Sequence, residues 1–277
     1  MRLIDCKHLG RDRVIGAYEL DGLVVDPGPT TCVESLLAGF EAEPRALLLT
    51  HVHLDHAGAS GSLVERFPSL RVYVHEAGAP HMVDPEALLA SAGRLYGDDM
   101  ERLWGDVKPV PPANVVVLRG GEEIEGFRVA YTPGHASHHV AYLHEASGDA
   151  YVGDVAGVRI PPYEFILPPT PPPDIDLEAW ENSLDTIASW KPTRLCLTHF
   201  GRVDDVTSHL RRVREGLRTN AERAREGDRE AFLGRLAAEV DERLDPESAL
   251  RLRQAAPSEL QWLGLDRYWR KRATTAT

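Results

Sequence analysis

Cysteine is nearly missing from this chain, with only Cys6, Cys32 and Cys196 among 277 residues. None sits in a Cys-x-x-Cys or other ligand spacing and the three cannot all pair with one another, so they are expected to be buried, reduced and structural. No stretch approaches the roughly 18 consecutive apolar residues of a membrane span. The opening, Met1 to His8, also lacks the apolar centre of a signal peptide. A cytoplasmic protein with no membrane partner is therefore expected. Positive charge is in deficit: 31 Lys and Arg against 43 Asp and Glu leave a net charge of -12. That balance disfavours a nucleic-acid backbone as partner and suits catalysis on small molecules. There is no internal repeat, and the one biased tract is a proline-rich segment. A hydrophobic fraction of 43% over 277 residues is enough for one large α/β domain with an appendage, or for two modest domains.

What is present reads as short apolar runs with turn chemistry between them. Val14 to Leu20 and Leu23 to Val25 flank Asp21-Gly22, a dipeptide favoured in two-residue hairpins. After Asp26-Pro27-Gly28-Pro29, Thr30 or Thr31 is placed to cap a helix running to Phe40. A strand from Arg45 to Thr50, a helix from Ala57 to Phe67 and a strand from Arg71 to His75 follow. Pro80, Pro85, Gly93 and Gly97 cut the stretch to Trp104 into two or three short helices. The runs Val115 to Leu118, Phe127 to Thr132, His139 to His144 and Ala150 to Gly153 predict a series of antiparallel strands. Gly157 to Pro173 holds seven prolines yet also Ile160, Tyr163, Phe165 and Ile166, which predicts an ordered loop lying against the fold. Asp176 to Trp190 reads as a helix, and Leu195 to Thr198 as a last strand. Beyond Arg202 the pattern is helical and charged, so residues 1–201 are expected to form the catalytic domain and 202–277 an all-helical extension. The tail residues Leu260, Trp262, Leu263, Leu265, Tyr268 and Trp269 are too apolar to be left in water. They predict packing on the main domain, on a second copy in a homodimer, or on both.

Chemistry concentrates at Thr50-His51-Val52-His53-Leu54-Asp55-His56, three imidazoles and a carboxylate within six residues. In an extended backbone His51, His53 and Asp55 point one way while His56 can turn the other. A helix would set His51 and His53 on nearly opposite faces, which excludes a helical HExxH-like reading. Three more segments share the pattern of a strand ending in a potential ligand: Thr132-Pro133-Gly134-His135, Gly153-Asp154 and Thr198-His199. Strand-end loops on one sheet edge are where ligand sites collect. Seven ligands exceed one tetrahedral zinc but suit two divalent metals about 3.5–4 Å apart with a shared carboxylate and water. Zinc is the expected ion, with manganese and iron also compatible with these donors. His8, His75, His81, His144 and His209 are read as structural or exposed. Tyr163 is the one phenol singled out: it either packs among the prolines, the commoner use of such a residue, or donates a hydrogen bond to a developing oxyanion.

The HxHxDH string at His51 to His56, with His135, Asp154 and His199 downstream, resembles the metallo-β-lactamase superfamily over roughly residues 13 to 200. The resemblance implies a four-layer αββα sandwich. It implies that His51, His53 and His135 hold one metal, that Asp55, His56 and His199 hold the other, and that Asp154 bridges them. Asp26 resembles the family's early aspartate, which supports the histidine loop from behind. His139 falls where glyoxalase II and its relatives carry a second histidine, and His138 is placed with it in a supporting or pocket role. The implied activity is metal-dependent hydrolysis of an acyl substrate, a thioester as in glyoxalase II or a lactone as in acylhomoserine lactonases. In that scheme a bridging hydroxide attacks and Asp55 orients it or accepts its proton. A phosphodiesterase is the alternative, and an iron-dependent oxygenase or redox member a more distant one. Substrate choice is expected from the proline loop and the extension, where Arg211, Arg212, Arg214, Arg218, Arg223 and Arg225 either meet an anionic tail or form a solvated face with interleaved glutamates.

Overall fold

The computed structural model describes residues 2–275. Two six-stranded sheets face each other. The first runs in chain order, β1 (Arg2–Asp5), β2 (Gly16–Leu20), β3 (Leu23–Val25), β4 (Ala46–Leu48), β5 (Arg71–His75) and β6 (Val115–Leu118). The second has the order β12-β11-β10-β9-β8-β7, from β7 (Glu123–Ile124), β8 (Phe127–Tyr131), β9 (Val140–His144), β10 (Asp149–Tyr151), β11 (Arg194–Leu197) and β12 (Gly201–Val203). Both are mixed: β3 to β6 are parallel, as are β10 and β11, and the remaining pairs are antiparallel. The Asp21-Gly22 turn has positive φ at both residues, 49° and 78°, as a tight hairpin with right-handed strand twist requires.

Alternation along the strands decides the layers. Ala46 and Leu48 of β4 point between the sheets, where they meet Tyr18 of β2 and Tyr142 of β9. Leu47 and Leu49 point the other way, onto Leu36 and Leu63 of the helices α1 (Val33–Gly39) and α3 (Ser60–Arg66). A strand buried on both faces is apolar at consecutive positions, which is why these runs show no polar alternation. The short helices α2 (Leu54–Ala57), α4 (Ala79–Val83), α5 (Glu86–Tyr96) and α6 (Met100–Trp104) lie on the same side of the chain order, between β4 and β6. On the far face, Leu195 and Leu197 pack with Trp180 and Leu184 of α7 (Leu177–Ser189). The helices α8 (Val206–Glu226), α9 (Arg229–Arg243), α10 (Pro246–Ala255) and α11 (Ser258–Thr275) add Leu217, Phe232, Leu252 and Leu265 to that same core. The αββα sandwich with a helical extension is therefore present, and the extension shares a core with α7 and the second sheet.

Several expectations are corrected. β6 does not join the antiparallel run; it lies parallel to β5 in the first sheet, because Val72 to His75 offers it a free edge. Strands β1, β7 and β12 were not legible, and β12 carries the sheet to Val203, past the expected boundary at 201. The helix expected from Ala57 is two pieces, α2 and α3, the first starting at Leu54. Neither Thr30 nor Thr31 caps α1; their hydroxyls donate to the carbonyls of Gly58 and Leu103. Aspartate caps the later helices instead: Asp176, Asp205, Asp228 and Asp245 each accept from a first-turn N–H of α7, α8, α9 and α10. The tail aromatics are accounted for within the chain. The Trp269 indole donates to Ala221 O, the Tyr268 hydroxyl donates to Glu178, and Trp262 packs on Phe232. All three cysteines are buried and free, with a Cys6–Cys32 side-chain hydrogen bond.

His209, on α8, is 3% exposed, and its Nε2 lies 2.8 Å from the carbonyl of Ala156. Burial lowers its pKa to about 4 from 6.5, so the folded state holds it neutral. The stability this confers is fully present above the unfolded-state value and is lost as pH falls from about 6.5 towards 4, by about 3 kcal/mol in total. His209→Gln is expected to flatten that part of the acid denaturation curve. An acid limb unchanged in the variant would show that another group controls it.

Candidate metal centre

The seven ligand candidates come from strand ends on one edge of the sandwich. β4 leads into His51 and His53, β8 into His135, β10 into Asp154 and β11 into His199. Backbone bonds join the sheets at this edge, from Val140 N to Thr50 O (2.7 Å) and from Gly16 N to Thr198 O (2.9 Å). Residues 54–57 form a helical turn, so Asp55 does not continue the alternation of His51 and His53 as an extended chain would require. The turn instead places Asp55 and His56 together beside His199.

Two groups result. In the first, His53 Nδ1 lies 3.0 Å from both His51 Nε2 and His135 Nε2. That spacing is close to the edge of a tetrahedron with metal–nitrogen distances of about 2.0–2.1 Å. In the second, His56 Nε2 and His199 Nε2 are 3.3 Å apart, and Asp55 Oδ2 is 3.4 Å from the latter. Asp154 stands between them: Oδ1 is 3.2 Å from His56 Nε2 and 3.6 Å from His199 Nε2, whereas Oδ2 is 3.4 Å from His135 Nε2.

The outward hydrogen bonds assign the tautomers. His56 Nδ1 donates to Asp26 Oδ2 (2.8 Å), His135 Nδ1 to Pro169 O (2.8 Å) and His199 Nδ1 to Val14 O (2.6 Å). His51 Nδ1 donates to the Thr50 hydroxyl (3.0 Å), whose own proton goes to Asp26 Oδ2 (2.8 Å). Four Nε2 lone pairs therefore converge with the carboxylates of Asp55 and Asp154. Asp154 Oδ1 is buried with no hydrogen bond in good geometry. Lone pair facing lone pair in a dry pocket is repulsive unless a cation lies between. The residues present fit a metal site, and three sets of donor atoms are grouped for one: His51, His53 and His135; His51, His56 and Asp154; Asp55, His56 and His199.

The electrostatics agree. Burial, with neighbouring imidazoles, holds His51 well below the usual histidine range, and burial with His135 lowers His53 to about 4. Burial also lowers His135 despite Asp154. All three are thus neutral and open to a metal. Burial pushes the Asp154 and Asp55 carboxyls up, but the histidines around them outweigh it and hold both well below the carboxylate range. Burial likewise acts to lower His56 and His199, yet Asp154 and its neighbours raise them, so protons there stand in for a cation.

Asp26 lies completely buried beneath this loop and takes four bonds. Besides His56, its carboxylate accepts from Thr50 N (2.8 Å), Thr50 Oγ1 (2.8 Å) and Thr198 Oγ1 (2.9 Å). His139 is buried behind His51, with ring centroids 5.1 Å apart, and its Nδ1 is 2.8 Å from Thr132 Oγ1. Burial lowers both His139 and His138, the latter to about 3. His138 Nδ1 accepts from Val52 N, and its ring lines the cleft beside His53. Gly153 has φ 45°, and a Cβ there would come within 2.5 Å of Thr50 Oγ1 and 2.7 Å of His139 Nε2. Only glycine admits the close approach that seats Asp154.

Tyr163 is not at the site. Its hydroxyl donates to Asp245, the cap of α10, and Phe165 beside it packs on the helical core. Nor do the α8 arginines face the centre. Arg211 pairs with Glu215, Arg212 with Glu164, Arg214 with Asp185, Arg218 with Glu181 and Arg223 with Glu239, while Arg225 lies over Trp269. The cleft above the centre, about 390 Å³, is bounded by His53, Asp55 and Asp154 on one side. Its other walls are Leu88, Leu95 and Tyr96 of α5, Trp104 of α6, the prolines 171–173, and Ala255 to Gln261. Sequence reasoning missed Thr50 and Thr198, although a threonine directly before both His51 and His199 was a visible signal.

Two stacked mixed sheets with helices outside, and histidines and aspartates gathered at their strand ends, define an αββα fold built for metal ions. The chain belongs to the metallo-beta-lactamase superfamily, whose family model matches residues 15–199. It is 29% identical over 176 residues to the metallo-beta-lactamase fold-containing protein ST1585 of Sulfurisphaera tokodaii, covering 60% of this chain and 65% of that protein. The crystal structure of ST1585 matches with a TM-score of 0.68 at 23% identity, over 91% of this chain and 93% of the other, a likeness of fold. A hydroxyacylglutathione hydrolase of Synechococcus sp. is 33% identical over 135 residues, covering 47% of this chain and 42% of the enzyme. The chain thus spans less than two thirds of the length of these curated relatives. TTHA1623, solved in a di-iron-bound form, has a TM-score of 0.53 at 28% identity over 69% of this chain and 89% of the other. Among the described residues, no helix is long and apolar enough to cross a membrane.

Proposed function

We propose that this protein is a binuclear metal-dependent hydrolase of acyl substrates, with His51, His53 and His135 holding one ion, Asp55, His56 and His199 the other, and Asp154 shared. The observation that carries the reading is the position of Asp154, whose two oxygens address two different histidine groups. A bound metal pair would supply Lewis acidity and a water acidic enough to attack at neutral pH. Zinc is the ion this donor set favours, and the di-iron form of TTHA1623 is the reason to measure rather than assume it.

The chain's own residues do the rest. Asp26 and the carbonyls of Val14 and Pro169 hold a ring proton on Nδ1 of His56, His199 and His135, which turns each Nε2 to the centre. Asp55 is one-fifth exposed at the cleft floor, where it can orient an attacking water and accept its proton. Leu88, Trp104, Leu260 and the prolines exclude water from the rest of the cleft and suit an apolar acyl group. A phosphodiester would need several cations, and Arg94 is the one Arg or Lys among the residues lining the cleft. The match to a hydroxyacylglutathione hydrolase supports an acyl bond.

The test is to purify the protein with its native metal, measure stoichiometry, and assay a panel of thioesters, lactones, aryl esters and phosphodiesters. Two ions per chain and acyl turnover are expected. One ion per chain would overturn the binuclear assignment, and phosphodiester cleavage with inert acyl substrates would overturn the reaction class.

A further inference from the structure

A phenol does reach the cleft, but not the one in the proline loop. Tyr96 is the last residue of α5, and its ring packs edge-on against Trp104, with centroids 5.1 Å apart and planes at 77°. Trp104 is only 6% exposed, so this contact anchors the ring. The side chain lines the same cleft as His53, Asp55 and Asp154. Among the described residues nothing hydrogen-bonds to the Tyr96 hydroxyl, whereas the phenols of Tyr18, Tyr142, Tyr163 and Tyr268 all have partners. A tyrosine held rigidly in an apolar wall normally finds a partner for its hydroxyl. One without a protein partner, on a side chain that lines the cleft, is available to a ligand.

We propose that Tyr96 is a catalytic residue, donating its phenol hydrogen to the substrate oxygen on which negative charge develops during acyl transfer. The assignment rests on the acyl-hydrolase reading of the same site. Burial pushes the phenol up from its usual range, which favours the neutral, donating form. No proton is transferred: the phenol O–H remains intact and contributes a hydrogen bond that strengthens as the carbonyl oxygen gains charge.

Tyr96→Phe keeps the ring and its packing on Trp104 and removes the hydroxyl alone. It is expected to lower kcat about 10- to 100-fold on the best acyl substrate, with KM changed less than about threefold. Melting temperature and metal content should match the wild type, which separates a lost donor from a damaged fold. A second reading uses no turnover: phenylacetate, a small carboxylate with an apolar ring, should bind the metal-loaded variant about tenfold more weakly than the wild type. A variant with wild-type kcat overturns the assignment. If the wild type hydrolyses no acyl substrate, the acyl reading fails, and phenylacetate then decides the role of Tyr96 alone: weaker binding in the variant supports it as a ligand donor, and equal binding removes it.

Discussion

Replacing Asp154 with alanine is expected to lower kcat/KM by about 1,000-fold or more and to reduce bound metal from two ions per chain to one or none. The size of the effect follows from the position of the carboxylate. It is 5% exposed, comes from the turn after β10, and faces both histidine groups, with Oδ1 near His56 and Oδ2 near His135. Removing it takes a donor from each group and a negative charge from the pocket proposed to hold two dications. Asp154→Asn is a sharper version. The amide keeps the shape but turns either an N–H or a weaker acceptor towards lone pairs on His56 or His135. If either variant keeps two tightly bound ions and wild-type turnover, the shared-carboxylate assignment is wrong. If one ion is lost while activity persists, the chemistry belongs to the His51, His53 and His135 group alone.

How much of this was legible before the structure depended on the range of the forces involved. The seven convergent residues could be read because each sits where a short apolar run stops, and a strand end is a local feature. The helix after Asp176 was legible for the same reason, with a capping carboxylate and a 3.6-residue apolar spacing in one stretch. Sheet membership was not. Val115 to Leu118 is as apolar beside β5 as it would be beside β7, and only the free edge left by β5 decides between them. β1 pairs with β2 through register alone, Leu3 opposite Tyr18, with nothing in Arg2 to Asp5 to announce a strand. Tyr163 was left between packing and a site role because a phenol among prolines shows its chemistry but not its direction. Tyr96 was passed over because the 39 residues between it and His56 hide that α5 lines the cleft over the metal edge. The α8 arginines were ambiguous from spacing, and their partners Glu181, Asp185 and Glu239 come partly from other helices.

Asp26→Ala is expected to destabilise the fold by about 3–5 kcal/mol and to weaken metal binding 10- to 100-fold, although Asp26 is not among the grouped metal donors. The reasoning starts from the four donors it serves. Thr50 N–H, Thr50 O–H, Thr198 O–H and His56 Nδ1–H would all lose their acceptor in a site with no solvent access. Each unsatisfied buried donor costs about 1–3 kcal/mol, and part of that is returned because the desolvated carboxylate is gone as well. The effect on the metal is separate. Asp26 makes Nδ1 the protonated nitrogen of His56, and through Thr50 it does the same for His51, so one carboxylate sets the tautomer of a ligand in each group. Without it both imidazoles can present N–H to the centre, and each must then shed or move a proton to bind. Asp26→Asn should be milder, since the amide can set its oxygen at the Oδ2 position and keep three of the four bonds, leaving only Thr50 N–H against an NH2 group. Thermal melting of the metal-free proteins measures the first effect, and competition with a chromophoric chelator measures the second. A variant that melts lower yet holds both ions as tightly as the wild type would reduce Asp26 to a packing role and leave the tautomers to Val14, Pro169 and the bound metal itself.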